Sequence, residues 1–378
     1  MSGGAVRTRP LDDVTVVDFS RYAPGLFGTR VLADLGARVI SVEPPGGGGE
    51  SPLYRAASAR ANGDHPFWRG RRSVALDLRT DAGRRAAQAL IAGADVVVEG
   101  FRPGVADRLG IGFETARGLR PNVVYCAVTG YGQEGPDAQR PGHDNNYLSE
   151  AGVLSLTSSG EDEPGIPLNL VADLAGGGLI TAIAILGALH GARRGSEAQY
   201  LDVAMVRSVL AMLAPVEAMT RAGTPDPSWR HGMLNGAAPY YRSYRTRDGG
   251  WVTVGAIEPK FYAELCRGTG LTEYADTQAD QETWPALEKA LAEVFATRER
   301  DEWCTLLAGA AVTPVLTVPE AWQRAQAWTS AGPASFALVP GLVEPHPDDG
   351  YADRPGADTA AVLAEFGLSE VEIAAATS

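Results

Sequence analysis

Cysteine is scarce in this chain, with Cys126, Cys266 and Cys304 the three it carries in 378 residues. They are far apart and odd in number, which argues against a disulfide framework. No two have metal or redox spacing, so a reducing, cytoplasmic compartment is expected. Basic excess is missing as well: 33 Lys and Arg stand against 46 Asp and Glu, a net charge of −13. Nucleic acid is therefore not an expected partner, since phosphate backbones need a positive footprint. A few local arginines could still hold a small phosphorylated ligand. The opening stretch, Met-Ser-Gly-Gly-Ala-Val-Arg, lacks the apolar run of a signal peptide. The longest apolar stretch, around residues 179–189, is interrupted by Thr181 and Gly187. It is expected to be a buried helix, too short to span a bilayer, so no membrane partner is foreseen.

The length predicts two domains rather than one core. The 45 glycines and 25 prolines are spread along the chain and mark turns. Apolar β-rich runs at 14–19, 38–43, 73–78, 95–99 and 122–129 alternate with helical patterns at 25–36 and 81–92. That alternation predicts an α/β fold with a Rossmann-like, doubly wound parallel sheet. Residues 130–172 read as long loops, which on such a scaffold carry function. Helices are expected at 173–192 and 202–220, then a linker over 223–248. From Trp251 the pattern restarts with a strand at 252–256 and helices at 259–268, 283–296 and 299–308, which predicts a smaller α+β domain. A helix follows Pro319, and the tail over 359–375 is helical in pattern.

Gly130-Tyr-Gly-Gln-Glu-Gly135 matches G-x-G-x-x-G after a strand. A dinucleotide fingerprint must open a helix, and Pro136, Pro141 and Gly142 prevent that, so the match is rejected. His143, one of five histidines, sits in a Gly/Pro-rich stretch. It can take and return a proton near neutrality, or simply cap a backbone group. Asp173 precedes an apolar helix and is followed by Gly176, Gly177 and Gly178. Such an aspartate is commonly an N-cap. Three glycines, each costing about 1 kcal/mol in a helix, suggest either close approach of backbone to an anionic ligand or a tight helix crossing. Glu258, before the helix that Pro259 opens, complements the helix dipole or orients a catalytic partner. Arg69, Arg71, Arg72, Arg102 and Arg108 lie near strand ends, where ligands bind in parallel sheets, or form a solvated basic face. No metal-ligand spacing is seen.

Several of these stretches converge on one family. Leu32-Ala-Asp-Leu-Gly-Ala37, Glu99-Gly-Phe-Arg-Pro-Gly104, Arg108-Leu-Gly-Ile-Gly112, Gly142-His-Asp-Asn-Asn-Tyr147 and Gly255-Ala-Ile-Glu-Pro259 resemble the family III CoA transferases. The Gly-His-Asp-x-Asn-Tyr and Ala-Ile-Glu-Pro signatures resemble the alpha-methylacyl-CoA racemase branch. The resemblance runs over about residues 11–321. It implies an interlocked homodimer whose large Rossmann-like domain spans 1–220 and 325–378, with a small domain at 225–322. It implies an acyl-CoA thioester substrate and no separate cofactor. CoA would lie along Leu76, Asp77, Leu78 and Arg79, along Gly100, Phe101 and Arg102, at Arg108, and along Gly142, Asp144, Asn145, Asn146 and Tyr147. His143 and Asp173 would act as bases on opposite faces of an enolate, Glu258 would support the histidine, and N–H groups over 173–176 would hold the enolate oxygen.

Departures from the family pattern are Pro44 in place of an arginine, Arg207 and Ser208 after Met205-Val, and a long insert at 46–63. Two other activities fit the same residues. One is CoA transfer with Asp173 as nucleophile. The other is binding of CoA esters without turnover.

Overall fold

A computed structural model describes residues 9–46, 66–157, 163–223, 232–325 and 354–377. Most of the insert expected at 46–63 lies outside these residues. The chain divides into two compact units.

The first unit comprises Met1–Ala151, Pro167–Met212 and Ala331–Ser378. Its strands are β1 (Thr15–Asp18), β2 (Arg38–Glu43), β3 (Arg71–Ala75), β4 (Val96–Glu99), β5 (Val124–Thr129) and β6 (Gln199–Ala204). All pair in parallel, in the order β3-β2-β1-β4-β5-β6. This is the doubly wound order, and its central strands are buried on both faces, which is why they read as continuous Val-rich runs. Helices α1 (Ala23–Asp34), α2 (Asp81–Ala92), α3 (Val105–Arg108), α4 (Phe113–Leu119) and α5 (Asp144–Glu150) connect the strands. After α5 comes a ten-residue π-wound stretch, Leu170–Leu179. It continues directly into α6 (Ile180–Ala192). Strand β6 then leads into α7 (Met205–Met212).

Two expectations change here, and a third is decided between its alternatives. The apolar helix is longer than foreseen: Leu170–Ala192 has 23 residues, enough by length and composition to cross a membrane. One face of it nevertheless packs into the sheet through Ala182, Ile185, Ala188 and Leu189. The helix expected at 202–220 is instead strand β6 followed by two helices. The chain breaks at Leu213, where Pro215 opens α8 (Ala214–Arg221). The glycine triplet serves packing. A Cβ on Gly177 would lie 2.6 Å from Pro24 Cβ, and one on Gly178 would lie 2.7 Å from Phe27 Cδ1, both on α1. Reciprocally, a Cβ on Gly28 of α1 would lie 2.8 Å from the Gly178 carbonyl oxygen. The glycines let two helices cross closely, a role small residues fill because any side chain would hold the backbones apart.

The second unit comprises Gly152–Ile166 and Leu213–Ser330, so residues 152–166 and 213–220 group here rather than with the large domain. It holds an antiparallel sheet of β7 (Tyr241–Arg245), β8 (Trp251–Gly255) and β9 (Val312–Pro314). Strand β7 falls in the stretch expected to be linker. Helices α9 (Pro259–Thr269), α10 (Trp284–Phe295), α11 (Arg300–Leu306) and α12 (Val318–Ala325) accompany it. Tyr240, Tyr244, Tyr262, Phe295 and Trp303 fill the core. The chain then returns to the first unit with α13 (Thr359–Glu365) and α14 (Glu370–Thr377), the tail helix being split at Gly367. Asp358 accepts the Ser73 N–H at 2.8 Å, which ties the C-terminal segment to edge strand β3.

Candidate active site

In an open parallel sheet, ligands bind beyond the carboxyl ends of the strands, where the winding reverses. Here that point lies between β1 and β4. The loop after β4 begins at Gly100, where a Cβ would stand 3.7 Å from Ser20 Cβ in the loop after β1. Gln139, in the loop after β5, donates to the Pro103 carbonyl at 3.1 Å. The strand-end loops carrying Arg102 and His143 are thus joined.

His143 is the N-cap of α5, a helix expected to be loop. The Asn146 side-chain oxygen accepts the His143 N–H at 3.0 Å, and the imidazole-bearing residue is exposed. Tyr147 shapes the turn before it. Its hydroxyl donates to the Gly142 carbonyl at 2.6 Å. Its ring occupies the space a Cβ on Gly130 or Gly142 would need, at 2.2 and 2.7 Å. The resembling Gly-His-Asp-x-Asn-Tyr pattern therefore has a local cause: a glycine admits the tyrosine, and the asparagine closes the helix start.

Asp144, the next residue, turns inward and is 5% exposed. Its Oδ2 accepts the N–H of Ala172 and the N–H of Asp173, each at 2.8 Å. Opening N–H groups of a helix have no partner inside it, and hydrogen bonds to a charged acceptor are worth about 1.5–3 kcal/mol each. Because Asp144 takes the Asp173 N–H, that group is not free for an enolate oxygen, contrary to the expectation above.

Asp173 is half-buried. Asn169, four residues earlier, donates to its Oδ2 at 3.2 Å, a contact not foreseen although the i, i+4 spacing offers it. Burial raises the proton affinity of Asp173. The Asn169 hydrogen bond opposes that, the negative charge of Asp144 adds to it, and His143 lowers it. His143 and Asp173 therefore lie within electrostatic reach of each other. Arg102 likewise acts on Tyr147.

The other expected ligand contacts divide. Arg102 and Arg108 are exposed and in no ion pair among the described residues, so both remain available to an anion. Arg79 instead forks onto Asp77 at 2.8 and 2.9 Å, which holds the Asp77 carboxyl down at about 2. The side chains of Leu76 and Leu78 are buried in the core. Asn145 is exposed on α5. Glu258 belongs to the second unit, where it is the exposed N-cap of α9. Its carbonyl accepts the N–H groups of Phe261 and Tyr262.

Glu99, at the end of β4, was not singled out from the sequence. It is 3% exposed, and its Oε2 accepts the Phe101 N–H at 2.6 Å. Burial first, and then the like charge of Asp107, raise its pKa from 4.5 to about 7, against the lowering effect of the Phe101 hydrogen bond. Folding then favours the protonated form. The stabilisation is full below pH 4.5 and is lost as pH rises through about 7. The total is at most about 3 kcal/mol. Glu99→Gln keeps an acceptor for Phe101 but does not titrate. Denaturant unfolding should find the variant more stable by about 1–3 kcal/mol at pH 8, with the difference gone near pH 4.5. A gain that is the same at both pH values would show that Glu99 ionisation is not its source.

A family model described as CoA-transferase family III matches residues 11–332. The chain is 36% identical over 378 residues to an alpha-methylacyl-CoA racemase of Homo sapiens, covering 96% of this chain and 95% of that protein. It is 28% identical over 376 residues to a succinyl-CoA:glutarate CoA-transferase of Mus musculus, covering 96% of this chain and 83% of the relative. Among solved structures, a CAIB/BAIF family protein from Brucella suis has a TM-score of 0.78 at 27% identity, covering 94% of this chain and 99% of that one.

Proposed function

The chain belongs to CoA-transferase family III, and on that premise we propose that it is an isomerase exchanging the proton alpha to the thioester of 2-methylacyl-CoA esters. The observation that carries this reading is that Asp144, next to His143 in the chain, accepts the Asp173 N–H at 2.8 Å, which links the two helix openings that bear these side chains. A proton alpha to a thioester is weakly acidic. Its removal needs a base in contact and a stabilised enolate. Inversion needs a proton carrier on each face of that planar intermediate. An imidazole titrates near neutrality, and a carboxylate whose proton affinity burial has raised is a better base than a solvated one. Arg102 and Arg108 would hold CoA phosphates, and Glu258 would support His143. The enolate oxygen needs donors other than the Asp173 N–H, and such donors supply several kcal/mol. The reaction moves only protons, so the reading calls for no metal or redox cofactor.

A homodimer belongs to this reading. Leu170, Leu179 and Ile183 on the long helix, and Leu210 and Met212 on α7, are 41–62% exposed, apolar surface that a second copy would cover.

A relative named as a CoA-transferase favours a second reading, in which Asp173 attacks the thioester to form a mixed anhydride and expels CoA thiolate, which then attacks the aspartyl carbonyl to leave a CoA thioester on Asp173 and free the acyl carboxylate. One experiment separates the two. Each epimer of a panel of 2-methylacyl-CoA esters is incubated in deuterated water, with and without hydroxylamine. Alpha-deuteration with inversion, and no trapped adduct, is the expected result. A hydroxylamine-sensitive adduct at Asp173 without deuteration would replace racemisation by CoA transfer.

A further inference from the structure

We propose that Asp144 is a positioning residue whose buried carboxylate, one residue along the chain from His143, holds Asp173 in register with it. The inference rests on the reading of Asp173 as a reacting group and extends it to a buried residue whose carboxylate faces the backbone of that group. Asp144 is the first residue of α5, next to the His143 N-cap, and it is 5% exposed. Its Oδ2 receives the N–H of Ala172 and of Asp173 at 2.8 Å, across 28 and 29 residues of sequence. It therefore joins the turn bearing the imidazole to the turn bearing the carboxylate.

The receiving element explains why a clamp is needed. Residues Leu170–Leu179 are wound with the wide π repeat, which is rare and reaches five residues back for its hydrogen bonds. Its opening N–H groups must find acceptors elsewhere. The C-terminal half is locked against α1 by Gly177 and Gly178, but Asp173 lies ahead of that seam. Asp144 supplies the fixed point at the open end. His143 does not depend on it in the same way, because Asn146 holds the His143 N–H and Tyr147 holds Gly142. Loss of the Asp144 carboxylate should thus disturb one face of the site and spare the other.

The test compares Asp144→Ala with Asp144→Asn in the full-length protein. Alpha-deuterium uptake is measured separately from each epimer, and amide hydrogen exchange is followed over residues 170–179. In Asp144→Ala, amide exchange at 172 and 173 should rise by about tenfold or more. Exchange from the epimer served by Asp173 should fall at least about tenfold further than exchange from the epimer served by His143. Asp144→Asn, which retains an acceptor, should keep the ratio of the two epimers within about threefold of wild type. Unchanged amide protection in Asp144→Ala overturns the clamp, whatever the activity. Raised amide exchange with an unaltered epimer ratio overturns its role in the chemistry. Equal loss in both variants at the same unfolding temperature does so too. If the wild-type protein exchanges no alpha proton, racemisation fails as a reading. The clamp is then judged by the yield of the hydroxylamine-trapped Asp173 adduct, which should fall in Asp144→Ala and survive in Asp144→Asn; equal yields overturn it.

Discussion

Replacing His143 with alanine should slow inversion at the alpha carbon by about 100-fold or more, the usual scale for a removed general base. The fold should survive, because α5 is capped through the backbone of residue 143 and the side chain of Asn146. Proton exchange on the face served by Asp173 should remain measurable, and it should proceed with retention. His143 also lowers the proton affinity of Asp173. Removing it should therefore move the low-pH limb of the residual exchange upward in pH, since the carboxylate that acts as base then holds its proton longer. Epimer-resolved deuteration across pH 4–8 checks all three points. Inversion within a few-fold of wild type would remove His143 from the reaction.

How much of this was legible beforehand follows from which forces are local. Strand β2 and helix α2 run over the residues expected of them, 38–43 and 81–92, because their apolar periods end at Pro44 and Gly93. Strand β6 was missed because Ala204 passes straight into Met205 of α7 with no turn residue between strand and helix. Helix α5 was missed because its seven residues, Asp-Asn-Asn-Tyr-Leu-Ser-Glu, carry too little apolar period to announce a helix between Pro141 and Gly152. The candidate residues themselves stood out, since His143, Asp173 and the arginines at strand ends are chemically conspicuous. Their arrangement did not. The Asp144–Asp173 hydrogen bond spans 29 residues, and nothing local encodes it. The three glycines signalled something unusual, but their purpose became readable only when Gly28 of α1 was found facing Gly178. Glu99 looked like an ordinary strand end until the sheet and the loop after β4 enclosed it.

Asp173→Asn should slow inversion by about 100-fold or more, while leaving exchange with retention from the epimer that His143 serves. The substitution is close to isosteric. The oxygen of the introduced amide can still accept from Asn169, and the backbone N–H still reaches Asp144, so the π-wound opening keeps its fastenings. What disappears is a group able to take and return a proton. A one-faced enzyme follows: the imidazole lifts the proton, exchanges it with solvent, and returns it to the side it came from. The same variant tells the two chemistries apart. Under CoA transfer, Asp173 is the nucleophile and an amide cannot form the thioester, so the variant would lose every activity and the wild type would show no alpha exchange to begin with. Retained washout from one epimer, paired with lost inversion, is a result that only opposed bases on a shared enolate produce. Inversion persisting within tenfold of wild type would mean that some other group serves the second face, and Asp173 would then be no more than the first turn of its helix.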